Sequence, residues 1–223
     1  LNTTVIEPKQ KAQACIIWMH GLGASADDMT GLAKQLPLNV PVRHVALDAP
    51  TRPVTFNQGM VMPAWYDVKG FTLEDKEDKP GILASKQIIL AAIQTQIADG
   101  FSPETIFLAG FSQGGAMALF TALHTELALG GVIVLSAYLP LASECKPKLN
   151  RKTPMFIASG VHDQILLPAW TEISVTWLRD QGFDALTVRD YPMEHSVCLE
   201  EVQALGVWFE QQMTVIQSVA GEI

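Results

Sequence analysis

Cysteine is scarce in this chain of 223 residues. Only Cys15, Cys145 and Cys198 occur, with no Cys-x-x-Cys spacing, which argues against a disulfide framework and a cysteine zinc site. Free thiols suit a reducing compartment, so a cytoplasmic location is the expectation. No apolar run approaches the ~20 residues that span a bilayer, and no basic segment followed by an apolar core opens the chain, so no signal peptide is expected. Positive charge is in deficit as well: 15 Lys and Arg stand against 23 Asp and Glu, a formal net charge of -8. That balance disfavours nucleic acid or an anionic membrane surface as the main partner. Repeats and low-complexity segments are also missing.

What remains is a chain that is 48% hydrophobic and 17% charged, enough apolar material for one compact domain over residues 1–223. Short apolar runs recur at Cys15–Met19, Val42–Leu47, Ile106–Ala109, Val132–Leu135, Met155–Ala158 and Leu186–Val188. They show little polar alternation, as expected of parallel strands covered on both faces. Thr3–Ile6 reads as an antiparallel edge strand or half of a hairpin. Between the runs lie helical patterns: from a Ser25 or Asp27 cap to about Leu36, from Ile82 to Ala98, from just after Ser112 towards His124, from Pro168 to Gln181, and from Ser196 to Gln212. Such alternation predicts an α/β three-layer sandwich with a mostly parallel central sheet.

Residues 48–80 interrupt the rhythm with four prolines, two glycines and the charge cluster Glu74 to Lys79. The spacing predicts a long loop, and loops of this length often border a binding site. The charge cluster reads as a solvated turn.

The strongest local signal is Gly110-Phe111-Ser112-Gln113-Gly114, between a predicted strand and a predicted helix. In a Gly-x-Ser-x-Gly turn the glycines remove side chains that would collide, and the serine hydroxyl is presented above the sheet edge. A serine hydroxyl attacks poorly until a base takes its proton. Among the downstream histidines, His124 lies three turns along the serine's own helix, and His162 adjoins Asp163 too closely to bridge it to Ser112. His195, in the loop after the last strand, is the expected base. Asp163 follows the strand Met155–Ala158 and is the expected orienting acid, in the chain order Ser, Asp, His. Asp180, Asp184 and Asp190 read as solvated charges. The backbone N–H of Gln113 and that of Leu22, in the glycine-rich turn His20-Gly21-Leu22-Gly23, are the expected oxyanion donors. No cofactor or metal is required by this chemistry.

These segments, with Asp48-Ala49-Pro50, Met62-Pro63-Ala64-Trp65-Tyr66-Asp67 and Gly160-Val161-His162-Asp163, resemble the phospholipase/carboxylesterase family, which includes acyl-protein thioesterases and bacterial carboxylesterases. The resemblance spans nearly the whole chain. It implies the α/β-hydrolase fold, the triad Ser112, Asp163 and His195, donors at Leu22 and Gln113, and hydrolysis of carboxylic esters or thioesters, with acylated proteins among the substrates. It also implies that Met62, Trp65 and Leu166 border an acyl pocket, and that the protein is a monomer or homodimer. Ala24 departs from the family pattern, which often has an acidic residue there. Alternative readings are a lysophospholipase, which needs a longer apolar tunnel, and a non-catalytic binding module, which would have lost a triad member.

Overall fold

The structure, a computed structural model, describes residues 2–70 and 77–220. Its strands and helices follow in the order β1 (Thr3–Ile6), β2 (Ala14–Met19), α1 (Ala26–Ala33), β3 (Val42–Leu47), β4 (Thr51–Val54), β5 (Met60–Pro63), α2 (Lys79–Ala98), β6 (Ile106–Phe111), α3 (Gln113–Leu123), β7 (Gly131–Leu135), β8 (Met155–Gly160), α4 (Pro168–Asp180), β9 (Leu186–Tyr191) and α5 (Leu199–Ala220). Seven strands form one sheet in the order β1-β3-β2-β6-β7-β8-β9, and only β1 runs antiparallel, against β3. Thr3–Ile6 is thus an edge strand.

Successive strand side chains point to opposite faces, and each face receives its own helices. Ile17, Leu108, Val134 and Ile157 pack with Ile82, Ile89 and Ile93 of α2, with α3, and with Val175 and Leu178 of α4. Ile16, Ala109, Ile133 and Phe156 pack with Met29 and Leu32 of α1 and with Leu205, Trp208 and Phe209 of α5. The result is the three-layer sandwich of an α/β-hydrolase. One polar pair crosses this interior: the Trp18 indole donates to His44 Nδ1 at 3.1 Å, and burial pushes His44 down to about 4, which keeps it a neutral acceptor. Cys15 is fully buried and its thiol is pushed up to about 12.

Three local expectations need correction. Residues 48–80 are not an irregular loop throughout, because β4 and β5 pair as a hairpin with Thr51 opposite Pro63 and Val54 opposite Met60. Prolines are tolerated there because a two-stranded ribbon leaves many backbone groups unpaired in any case. Half of the charge cluster, residues 74–76, lies outside the described residues; its other members are not simply solvated. Asp78 caps α2 by accepting the Gly81 N–H at 3.1 Å, and Glu77 accepts the Leu141 N–H at 2.9 Å. Helix α5 begins at Leu199 rather than Ser196, since residues 191–196 turn back on themselves through Met193 N–H to Tyr191 O and Ser196 N–H to Glu194 O. It also runs on to Ala220, carried by Met213 and Ile216, which continue the apolar stripe of Phe209. Among the described residues no helix is long and apolar enough to cross a membrane.

The start of α5 carries an electrostatic cost. Glu201 is fully buried, and among the described residues its carboxylate meets only the Cys198 N–H, too poorly aligned to make a well-formed hydrogen bond. Burial raises its pKa from 4.5 to about 7, opposed only in part by the Cys198 N–H. The folded state therefore holds this proton more tightly than the unfolded chain, so stability contributed by this group is lost as pH rises from 4.5 through about 7. Glu201→Gln is expected to flatten that decline and to raise stability above neutral pH by about 2 kcal/mol, somewhat less than the linkage value because a buried amide is also poorly partnered. Urea melts on either side of the interval would measure it. A variant with the wild-type pH profile would contradict this reading.

Candidate active site

Strand β2 lies between β3 and β6, so the chain leaves it first to one side and later to the other. Crevices form at the C-terminal ends of strands where the order reverses in this way. The ends of β2 and β6 carry the glycine-rich turn after Met19 and the Ser112 turn, side by side.

Ser112 joins β6 to α3 with φ 54° and ψ -124°, a backbone conformation that L-residues rarely adopt. Such strain persists only where the surroundings impose it. Here the flanking glycines permit the crowding: a Cβ on Gly110 would lie 2.3 Å from Gly114 O, and one on Gly114 would lie 2.1 Å from Met19 O. The turn sets Ser112 Oγ 2.9 Å from His195 Nε2, and His195 Nδ1 donates to Asp163 Oδ2 at 2.6 Å. Asp163 Oδ1 in turn accepts the N–H groups of Ile165 and Leu166 at 2.9 and 2.8 Å. With Asp163 buried and holding the Nδ1 proton, Nε2 is left as an acceptor for the serine hydroxyl. Phe111 supports the imidazole, its ring centroid 4.8 Å away. His162 is exposed, and His124 ends α3 with Nδ1 donating to Phe120 O at 2.7 Å, so neither joins the cluster.

The two expected donors lie beside the serine. Leu22 and Gln113 both line the cavity above Ser112, and their backbone N–H groups have no acceptor among the described residues. The loop that carries Leu22 is braced from below. His20 is fully buried, donates Nδ1–H to Gly21 O at 2.6 Å and accepts the Ala49 N–H at 3.0 Å on Nε2. Burial lowers its pKa, which keeps this tautomer neutral. Gly23 N–H donates to Pro63 O at 2.8 Å, tying the turn to the hairpin. Ala24 leaves the helix start to Asp28, whose carboxylate accepts the Ser25 N–H at 2.9 Å, and to Asp48, which accepts the Ala26 N–H at 2.7 Å.

The cavity at Ser112 measures about 630 Å³. Leu166 lines it as expected, but Met62 and Trp65 do not. Trp65 is fully buried beneath the donor loop, where its indole N–H donates to His20 O at 2.9 Å. An indole N–H out of water requires an acceptor, and this one draws the ring away from the cavity. Met62 turns its sulfur to Asn57 Nδ2 at 3.3 Å. The walls are instead built by Tyr66, Tyr138, Trp170, Ile173 and Trp177. The last three occupy one stripe of α4, adjacent to the face that packs Val175 and Leu178 on the sheet. That spacing was a readable signal in the sequence. Helix α4 is held in place by Thr171, whose hydroxyl donates to Ala137 O at 2.8 Å, and by Ser174, which accepts the Leu139 N–H at 2.8 Å.

The Gln113 side chain is a further positioning element that the motif alone does not disclose. Its Oε1 accepts the Trp65 N–H and its Nε2 donates to Tyr66 O, each at 2.8 Å. The residue after the serine thereby fixes the segment that sets Tyr66 on the cavity wall.

A family model described as phospholipase/carboxylesterase matches residues 1–211 of this chain. The chain belongs to that family. Membership places it among serine-hydrolase-type esterases and thioesterases. Acyl-protein thioesterase 1 of Neurospora crassa is 35% identical over 214 residues, a match covering 90% of this chain and 87% of that protein. The crystal structure of Arabidopsis thaliana SOBER1 is similar at a TM-score of 0.84 and 30% identity, over 90% of this chain and 99% of that one. Zea mays acyl-protein thioesterase 2 gives a TM-score of 0.84 at 26% identity, over 95% and 98% of the two chains.

Proposed function

We propose that this protein hydrolyses carboxylic esters or thioesters through an acyl-serine intermediate, with Ser112 as nucleophile, His195 as general base and acid, and Asp163 as orienting acid. The observation that carries the reading is the continuous hydrogen-bond chain from Ser112 Oγ through His195 to Asp163. Ser112 Oγ attacks the carbonyl carbon while His195 Nε2 takes its proton. The oxyanion of the tetrahedral intermediate meets the N–H groups of Leu22 and Gln113, each worth about 3 kcal/mol in comparable sites. Collapse breaks the carbonyl carbon's bond to the leaving oxygen or sulfur, which departs with the proton from His195. Water, deprotonated by the same imidazole, then releases the acid and restores Ser112. Asp163 stays ionised and stabilises the imidazolium.

The largely apolar walls of the cavity, Leu166, Trp170, Ile173 and Trp177, favour an acyl chain as the group it holds. The similarity to acyl-protein thioesterases supports thioesters of acylated proteins as one substrate class.

A fluorophosphonate probe is expected to label the wild-type protein stoichiometrically and to leave Ser112→Ala unlabelled. A folded wild-type protein that does not react would overturn the proposal. Rates across an acyl series from acetyl to palmitoyl would then place the chain-length optimum.

A further inference from the structure

His195 borders not one recess but two. Beside the acyl cavity runs a second groove of about 510 Å³ between α1 and the segment leading into α5, and it shares His195, Phe111, Met29 and Asp28 with the first. Ser112 lines only the first. The chemistry of acyl transfer makes this division meaningful. The group that departs must receive the proton that His195 Nε2 took from Ser112, so it leaves on the imidazole side, while the acyl chain stays attached to the serine.

The geometry points to the second groove as the subsite for the leaving group, with Asp27 selecting a thiol or alcohol that carries positive charge. This inference rests on the proposed esterase reading and deepens it. The floor of the groove is apolar, from Met29, Leu32, Val197 and Val202, and suits the body of a leaving group. Its polar rim comes from Asp27 and Asp28 of α1 and from Gln35 just beyond that helix, and none of the described residues lining it is Lys or Arg. The two carboxylates differ in availability. Asp28 is engaged by the N–H and hydroxyl of Ser25 at 2.9 and 3.2 Å. Asp27 is exposed, and no partner to its carboxylate is present among the described residues. A cation tethered to the departing sulfur or oxygen therefore finds an unengaged carboxylate along its path and no competing cation. The net charge of -8 adds long-range attraction of the same sign.

The test compares octanoylthiocholine with its neutral isostere, in which carbon replaces the quaternary nitrogen. The acyl group and leaving-group shape are then constant. The ratio of kcat/KM for the cationic over the neutral thioester is expected to exceed one, to fall about fivefold in Asp27→Asn, and to fall further in Asp27→Lys. Added salt should compress the wild-type ratio. Asp184→Asn removes the same charge at the opposite edge of the sheet, before β9, and should leave the ratio at its wild-type value. Equal effects of Asp27→Asn and Asp184→Asn, or an Asp27→Lys ratio that does not fall, would overturn the assignment. The esterase reading stands or falls separately, on fluorophosphonate labelling of Ser112. Should labelling fail, calorimetric binding of octanoylthiocholine to Ser112→Ala still decides the groove: weakened binding when Asp27→Lys is added supports it, and unchanged binding refutes it.

Discussion

Asp163→Asn is expected to lower kcat for an aryl ester by about 10⁴-fold while leaving the protein folded. The cause is a tautomer. Asp163 Oδ1 accepts two backbone N–H groups, from Ile165 and Leu166, so the carbonyl of an amide would take that side. The amide nitrogen would then face His195 Nδ1, where Oδ2 now accepts at 2.6 Å. Being a donor, it would force Nδ1 to accept and move the imidazole proton to Nε2. Nε2–H cannot take a proton from Ser112, whatever the distance between them. Steady-state kinetics measure the loss, and thermal melting within a few degrees of wild type separates it from unfolding. A variant retaining more than about a tenth of wild-type kcat would refute the role assigned to Asp163.

The second large effect is on stability. Gly114→Ala is expected to cost more than about 3 kcal/mol, because its Cβ would run into the Met19–His20 backbone. Met19 O lies 2.1 Å from the Cβ position, Met19 C 2.4 Å and His20 O 2.5 Å. None of these atoms belongs to a flexible side chain that can swing aside. Relief requires α3 to move off β2, which also shifts the turn carrying Leu22. Gly31→Ala on α1 is the control, since a Cβ there meets nothing within 4 Å. It should stabilise by about 0.5–1 kcal/mol through reduced freedom of the unfolded chain. Denaturant unfolding of the two variants tests the contrast, and a Gly114→Ala protein within about 1 kcal/mol of wild type would show that the contact relaxes easily.

The readable features share a physical basis. Central strands of a covered parallel sheet must be apolar on both faces, so β2, β6, β7 and β8 announce themselves as short runs. The Ser112 turn is legible because its glycines answer a backbone contact that local geometry demands. Asp163 and His195 are legible because each follows a strand, and parallel strands deliver their C-terminal ends to one edge. The β4–β5 hairpin was hidden by Pro53 and Pro63, which argue against strands when the sheet context is unknown.

Which loop residues face the cavity is a different kind of question. Trp65 and Tyr66 are neighbours in one segment, yet Trp65 goes beneath the donor loop to reach His20 O and Tyr66 goes to the cavity wall. The sequence by itself determined the sheet, its helices, and the order in which nucleophile, acid and base arrive at one edge. Only the tertiary structure decided that Trp170 and Trp177 rather than Met62 and Trp65 form the cavity, and that His195 opens onto two grooves. Periodicity governs backbone hydrogen bonding and burial within an element, whereas the partner of an irregular loop is chosen by whichever distant polar group can satisfy it.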